Sequence, residues 1–282
     1  MVDLHTHTIF SDGCLSIEQL LHDALECDID IISITDHDTI DGTKHIVNNN
    51  LSTNITIIPG VELSTDTYYL DKRTKIHLLG YGYDYKNVLL NDSIKNKYII
   101  RGEDNKEYIE TLISKFSFLN PELFKDFEYG RFGYIRKNIL KHIADKLSAS
   151  DLNKLNEYLN QKKPNYRKYN FDIVEGIEII HNAGGYAVFA HPHETELSRE
   201  KLDALTKYLK ENNLDGIETY HVDSIGEHRI IAHDLALKYD LYETGGSDFH
   251  CYEDQIKVGY GVPKEVNNAE LVKKLIKERK TI

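Results

Sequence analysis

The sequence predicts an α/β fold, a TIM-like barrel of about seven strands with one helical insertion. Three observations predict it. Short β-rich runs recur along the 282 residues, with amphipathic helical patterns between most of them. Most of those runs end in histidine or a charged residue. One stretch, residues 87–170, breaks the rhythm: it is rich in Lys, Asn and Tyr and holds no convincing strand. The expected organisation is therefore a barrel formed by residues 1–86 and 171–282, with residues 87–170 inserted on a loop and capping the active-site face.

Taken in order, VDLHTH (2–7) reads as the first strand. Ser16-Ile17-Glu18-Gln19-Leu20-Leu21 then opens a helix, with a capping-type serine followed by an acidic residue. DIDIISITDHD (28–38), NITIIPGVEL (54–63) and TKIHLLGYGYD (74–84) are the next three strands. Strand–helix alternation implies that they run parallel, with their polar residues at the C-terminal ends. In the insertion, residues 104–116, 134–147 and 151–159 are helical in pattern. FDIVEGIEIIHNAGG (171–185) is apolar at helical spacing and closes on Gly-Gly, a C-terminal stop. GGYAVFAHPH (184–193), LDGIETYH (214–221) and DLYETGGSDFH (240–250) complete the strands, with helical patterns from Leu202 to Leu209 and from His228 to Tyr239.

Composition narrows the function. No run approaches the ~18 apolar residues of a membrane span, and no basic-then-apolar leader opens the chain. Three cysteines, Cys14, Cys27 and Cys251, form no CxxC and read as reduced thiols of a cytoplasmic protein. The net charge of -12 argues against a duplex nucleic-acid surface. That charge is uneven: Lys95 to Asn170 carries 16 basic against 10 acidic residues, the remainder 18 against 36. An acidic body suits bound cations and a basic insertion suits an anionic substrate, although solvated helix faces give the same composition.

Eight of the 14 histidines fall where the strands end. Those ends supply His5 and His7; Asp36, His37 and Asp38; Glu62; His77; His191 and His193; Glu218 and His221; Asp248 and His250. In a β/α barrel they share one face, where active sites lie. Imidazole and carboxylate groups converging from separate rigid elements are what borderline and hard metal ions require. A single HxH says little, but its recurrence at strand after strand reads as a metal centre. His22, His45, His142, His181, His228 and His233 fall within helical patterns and read as solvated or packed.

The motifs DLHTHTIFSDG, ITDHDTIDG, IPGVELS, HLLGY, AVFAHPH and GGSDFH, in that order over residues 3 to 250, resemble those of the PHP (polymerase and histidinol phosphatase) phosphoesterases. The resemblance implies a distorted seven-stranded β/α barrel holding two to three divalent ions, Mn, Fe or Zn. Carried over position by position, His5, His7, Glu62 and Asp248 would hold one ion. Glu62 would bridge to a second, completed by His77 and His191. Asp12, His37 and His250 would hold a third. Histidinol-phosphatase members usually carry histidine where this chain has Asp12. The insertion looks like that of the branch containing AMP and nucleoside 3′,5′-bisphosphate phosphatases and the exoribonuclease RNase AM. Two departures stand out: Lys137-Asn138 replaces the Pro-His that follows arginine in that branch, and His193-Glu194 stands where relatives often show Gly-Arg.

The expected activity is hydrolysis of a small phosphorylated substrate, a nucleotide such as AMP or pAp or an oligonucleotide 5′ end. A hydroxide between two cations bridged by Glu62 would be the nucleophile. Arg136, and after it Arg131, would grip phosphate. His193 would protonate the leaving alcohol, His221 would contact substrate, Asp38 would orient water or a ligand, and Tyr166 would line the pocket. Histidinol phosphate and cyclic sugar phosphates present the same group to the metals. Two readings of other classes compete. An amidohydrolase-type enzyme also opens with HxH, but normally uses a mid-barrel lysine or histidine pair, where this chain has TDHD and Glu62. A non-catalytic PHP interaction domain is disfavoured by the complete ligand set.

Overall fold

The computed structural model describes residues 1–51, 53–69, 73–130, 135–161, 170–252, 256–263 and 270–282. It divides into two compact units, Met1–Ser93 with Phe171–Ile282, and Ile94–Asn170.

In the first unit, β1 (Val2–Thr6), β2 (Ile31–Ile34) and β3 (Thr56–Thr67) lie side by side and parallel. Helices α1 (Ile17–Glu26) and α2 (Asp41–Asn48) make the crossovers between them. Ser16 begins α1 with a reciprocal cap in which Gln19, not Glu18, is the partner: Ser16 Oγ accepts the Gln19 amide and the Gln19 side chain accepts the Ser16 amide. The apolar stripe of α1, Leu20, Leu21 and Ala24, packs with Ile32, Ile34 and Ile57 of the sheet. This burial of aliphatic surface anchors the first half of the barrel.

β4 (Thr74–Tyr81) departs from the expected parallel arrangement. It pairs antiparallel with β3 from Gly60 opposite Tyr81 to Thr67 opposite Thr74, and antiparallel with β6 (Tyr186–Phe189) on its other side. The cause is the short connection from Thr67 to Thr74, since a parallel crossover needs a dozen or more residues. The reversal decides where His77 sits. It lies near the start of β4, opposite Ser64, rather than at a C-terminal strand end. Because β4 runs backwards, its beginning is on the same rim as the ends of the other strands.

Two-residue β5 (Phe171–Asp172) pairs with the far end of β3, and Asp172 caps α6 (Ile173–Asn182) through the Val174 amide. β6, β7 (Gly216–His221) and β8 (Tyr242–Gly246) are again parallel, linked by α7 (Arg199–Glu211) and α8 (Glu227–Tyr239). The last strand returns to the first: Asp248 N–H donates to His5 O at 2.8 Å and His7 N–H to Phe249 O at 2.9 Å. The sheet order is β1-β2-β3-β4-β6-β7-β8, with that closure bringing β8 back to β1. A C-terminal helix, α9 (Glu270–Lys277), buries Leu271, Val272 and Leu275 with Val2, Leu4 and Leu79.

The second unit is helical. α3 (Val88–Lys115) starts in the first unit and continues into the second, joined there by α4 (Ile135–Ile143) and α5 (Ala149–Gln161). These elements have their own core, built on Ile109, Leu112, Phe124, Ile139, Leu155 and Leu159. Among the described residues, no helix is long and apolar enough to cross a membrane.

Barrel closure depends on Gly246, where an added Cβ would collide with the backbone and Cβ of His5. Neither neighbour can yield, because His5 is itself hydrogen-bonded on both sides. Gly246→Ala is expected to destabilise the protein by roughly 1–3 kcal/mol, read as a lowered urea midpoint. An unchanged midpoint would show that β8 does not close tightly on β1.

Candidate metal centre

Glu62 lies near the middle of β3, only 1% exposed, and its carboxylate faces five imidazoles. Oε2 lies 3.2 Å from His5 Nε2, 3.3 Å from His7 Nε2 and 3.1 Å from His37 Nδ1. Oε1 lies 2.5 Å from His77 Nδ1 and 3.0 Å from His191 Nε2. Glu62 and these imidazoles come from five strands or the turns that follow them, β1, β2, β3, β4 and β6, so only the closed barrel assembles them.

The donor atoms converge in three groups: His5, His7, Glu62 and Asp248; His37, Glu62 and His77; and His7, Asp12, His37 and His250. Eight of the nine residues expected as ligands fall in these groups and the ninth, His191, lies against Glu62, but the sharing differs from the expected sets. His37 joins Glu62 and His77, whereas His191 reaches Glu62 from the β6 side. His7 belongs to two groups. The donor set fits divalent ions on an observation independent of ligand type: His7 Nδ1 and His77 Nε2 are buried and make no hydrogen bond among the described residues. Buried polar atoms in that state are costly unless an ion or water satisfies them.

Further carboxylates hold the ligand-bearing loops. Asp36 accepts hydrogen bonds from Thr8 N (2.7 Å), Thr8 Oγ1 (2.6 Å) and Ser11 Oγ (2.6 Å), which pins the turn that presents Asp12. Asp3 accepts from Ser247 N, Ser247 Oγ and Gly259 N, fixing the residue before Asp248. Asp38, His191 and Asp248 all adopt left-handed backbone, with φ of 50°, 25° and 51°. Such conformations cost energy and concentrate at functional sites.

The electrostatics follow from burial and crowding. Burial opposes the charge on Glu62, yet the surrounding imidazoles, His37 and His77 first, keep its carboxyl well below the usual range. Burial also pulls His7 down, but Asp248 and Glu62 outweigh it and raise the imidazole to about 10. His191 is raised to about 9 in the same way, against its burial, chiefly by Glu62. At His193 burial comes first, and with the nearby His221 and His191 it outweighs the opposing pull of Glu194 and Glu218, pushing the imidazole down to about 4.

The remaining expected site residues are placed as follows. Asp38 Oδ1 accepts the Ser64 amide at 2.8 Å, so it braces β3 just past Glu62. His221, expected at the substrate, is buried beside the candidate ligands. Its Nδ1 accepts the Asp223 amide and its Nε2 lies 3.4 Å from Asp248 Oδ2. That hydrogen-bonding makes it a brace for Asp248. His193 is half-buried, with ring centroids 5.0 Å from His221 and 5.8 Å from the exposed His228. Arg136, in the second unit, donates from Nε and Nη2 to Asn156 Oδ1 at 3.1 and 2.6 Å. Arg131 and Tyr166 lie outside the described residues.

The cysteines correct the sequence reading. Cys14 and Cys251 form a disulfide, with Cα atoms 5.4 Å apart, so neither is a reduced thiol or a thiolate ligand; Cys27 is free. The bond ties the loop carrying Asp12 to the residue after His250. Among the described residues, the supporting roles of Asp3, Asp36 and Glu218 were missed. The available signal was a carboxylate inside an otherwise apolar strand run, as in VDLHTH.

Residues 3–244 match the PHP domain family. The chain is 29% identical over 255 residues to the 5′-3′ exoribonuclease Rnm of Escherichia coli (strain K12), covering 88% of this chain and 84% of that protein. It is 26% identical over 268 residues to the phosphoribosyl 1,2-cyclic phosphate 1,2-diphosphodiesterase of Eggerthella lenta, covering 93% and 98%. It is 26% identical over 266 residues to the 3′,5′-nucleoside bisphosphate phosphatase of Chromobacterium violaceum, covering 89% and 87%. Among solved structures, an amidohydrolase from Chromobacterium violaceum with bound sulfate and no metal superposes with a TM-score of 0.71 at 23% identity, over 91% of this chain and 89% of that one.

The raised imidazoles define a pH test. Their folded values, about 10 for His7 and about 9 for His191, lie above the ordinary 6.5. The stability they confer on metal-free protein is full below about 6.5 and is lost as pH rises through 9 and 10. Metal must displace those protons. Calorimetric titration with Mn²⁺ at pH 7, in buffers of differing ionisation enthalpy, should show net proton release, with tighter binding at pH 9 than at pH 6.5. Proton-neutral binding at pH 7 would refute this charge assignment.

Proposed function

The chain belongs to the PHP domain family, and from that premise we propose that it is a metal-dependent phosphoesterase, a hydrolase of phosphate esters in small nucleotides or at oligonucleotide 5′ ends. The observation that carries the proposal is the Glu62 carboxylate shared among five imidazoles beside Asp248, a donor set built to hold divalent cations close together. Relatives named for a 5′-3′ exoribonuclease and a nucleoside bisphosphate phosphatase support the nucleotide class. Divalent ions in such a site lower the pKa of water and neutralise phosphate oxygens.

The chain's own residues would divide the remaining work. His5, His7, Asp248, His37, His77 and His191 would hold the cations around Glu62, with Asp12 and His250 on the more open side. The left-handed turns and the carboxylates behind them keep these donors in place before substrate arrives, so the site needs little reorganisation. His193 is the candidate proton donor to the departing alcohol. It is half-buried beside the ligand His191 and neutral in the free chain. The arriving phosphate's negative charge would favour its protonated form.

Three outcomes test this. Purified protein loaded with Mn²⁺ is expected to release phosphate or nucleotide from a panel of pAp, AMP, 5′-phosphorylated RNA and cyclic phosphates in preference to histidinol phosphate. Chelation should abolish that release, and preference for histidinol phosphate would overturn the nucleotide assignment. Asp248→Ala is expected to lower kcat/KM by at least about 100-fold, since metal stabilisation of the transition state is worth several kcal/mol. A fully active variant would refute the site. His193→Gln should slow nucleotide hydrolysis by about 10²- to 10⁴-fold, while p-nitrophenyl phosphate, whose leaving group needs no proton, is affected far less. Equal loss on both substrates would remove His193 from the proton step.

A further inference from the structure

We propose that Glu218, which belongs to none of the three converging ligand groups, is the positioning residue that holds His5 and His191 in their metal-binding states. The inference rests on the metal-centre reading and deepens it. Glu218 lies on β7 and is fully buried. Its Oε1 is 2.9 Å from His5 Nδ1, and its Oε2 accepts the backbone N–H of His191 at 2.8 Å. Both histidines turn Nε2 toward Glu62, on opposite oxygens of it, His5 at Oε2 and His191 at Oε1. Two carboxylates therefore grip the same histidine pair, Glu62 on the metal side and Glu218 from behind.

Each grip has a distinct chemical consequence. A carboxylate oxygen only accepts, so the proton between Glu218 and His5 sits on Nδ1. With one ring proton committed there, the neutral imidazole keeps the Nε2 lone pair facing Glu62 and Asp248, as a cation requires. At His191 the controlled feature is the backbone. A φ of 25° and ψ of 64° is an unfavourable conformation for a residue with a side chain, and the Glu218 bond is made to the amide of that very residue. The rings of His5 and His191 are consequently stacked, 5.7 Å apart and 19° from parallel.

The strand is built to permit this. Residues three apart on a regular strand face opposite sides, yet Glu218 and His221 are both buried against the ligands, at His5 and at Asp248. The pairing of β7 with β8 is irregular between Glu218 and Tyr220, and that extra residue restores both side chains to one face.

The test uses Glu218→Gln in the full chain. Glutamine has one acceptor oxygen, so it can serve His5 or the His191 amide but not both, and its NH₂ then faces a donor. The variant is expected to retain wild-type far-UV circular dichroism and cooperative unfolding when metal-free, while its Mn²⁺ affinity by calorimetry falls about 10- to 100-fold. Glu218→Asp, which keeps both acceptors, should lie between the two. In Zn²⁺-loaded wild type, ¹⁵N NMR of the histidine rings should show His5 protonated at Nδ1. That measurement decides the question even if neither variant folds. Wild-type affinity in a folded Glu218→Gln, or a His5 proton on Nε2, would overturn the proposal. A wild-type protein that binds no Mn²⁺ at all would instead sink the metal-centre reading on which it rests.

Discussion

A single ionised carboxylate, that of Glu62, sits at 1% exposure in the middle of the barrel rim, and the arrangement around it follows from that fact. Moving such a group out of water is expensive unless opposite charge and hydrogen-bond donors replace the solvent. Five imidazoles do so here, and they in turn are buried and need carboxylates or cations. The site is thus a closed electrostatic system with alternating acids and bases. In the metal-free chain protons supply the positive charge, carried by imidazoles such as His7 and His191. Divalent ions can take over that role only by expelling those protons.

This constraint accounts for features of the fold that a simple alternating barrel lacks. The reversed strand β4 places His77 opposite Ser64, on the rim that Glu62 occupies, although His77 comes early in its strand. The irregularity in β7 turns Glu218 and His221 to the same side. Three left-handed residues, Asp38, His191 and Asp248, sit where a chain leaving a strand must bend sharply to face its side chain or its supporting amide inward. Each of these departures from regular structure has a ligand or a ligand's brace at its centre. The Cys14–Cys251 disulfide ties together the two loops bearing Asp12 and His250, on the side of the site that is more open to solvent.

Much of the barrel was legible in the sequence because period-two and helical patterns report local burial, and because short runs ending in His, Asp or Glu repeat too often for chance. The strand direction of β4 was misread from that rhythm alone. The six residues between Thr67 and Thr74, too few for a crossover helix, held the information. The disulfide was invisible, since two cysteines 237 residues apart carry no local signal. The candidate metal ligands stood out because imidazoles recur at strand ends. Their supports were not separable from them: Asp36 and Glu218 read as further strand-end donors and Asp3 was not singled out, because a carboxylate in a strand looks the same whether it faces water, a backbone amide or a histidine. The burial of His221 and its contact with Asp248 likewise appear only in the fold.

The most direct test of the account is anomalous diffraction from crystals of the full chain grown with Mn²⁺. The account predicts anomalous peaks in contact with the Glu62 carboxylate, one flanked by His5, His7 and Asp248 and another by His77. Loaded crystals in which no metal touches Glu62 would contradict it.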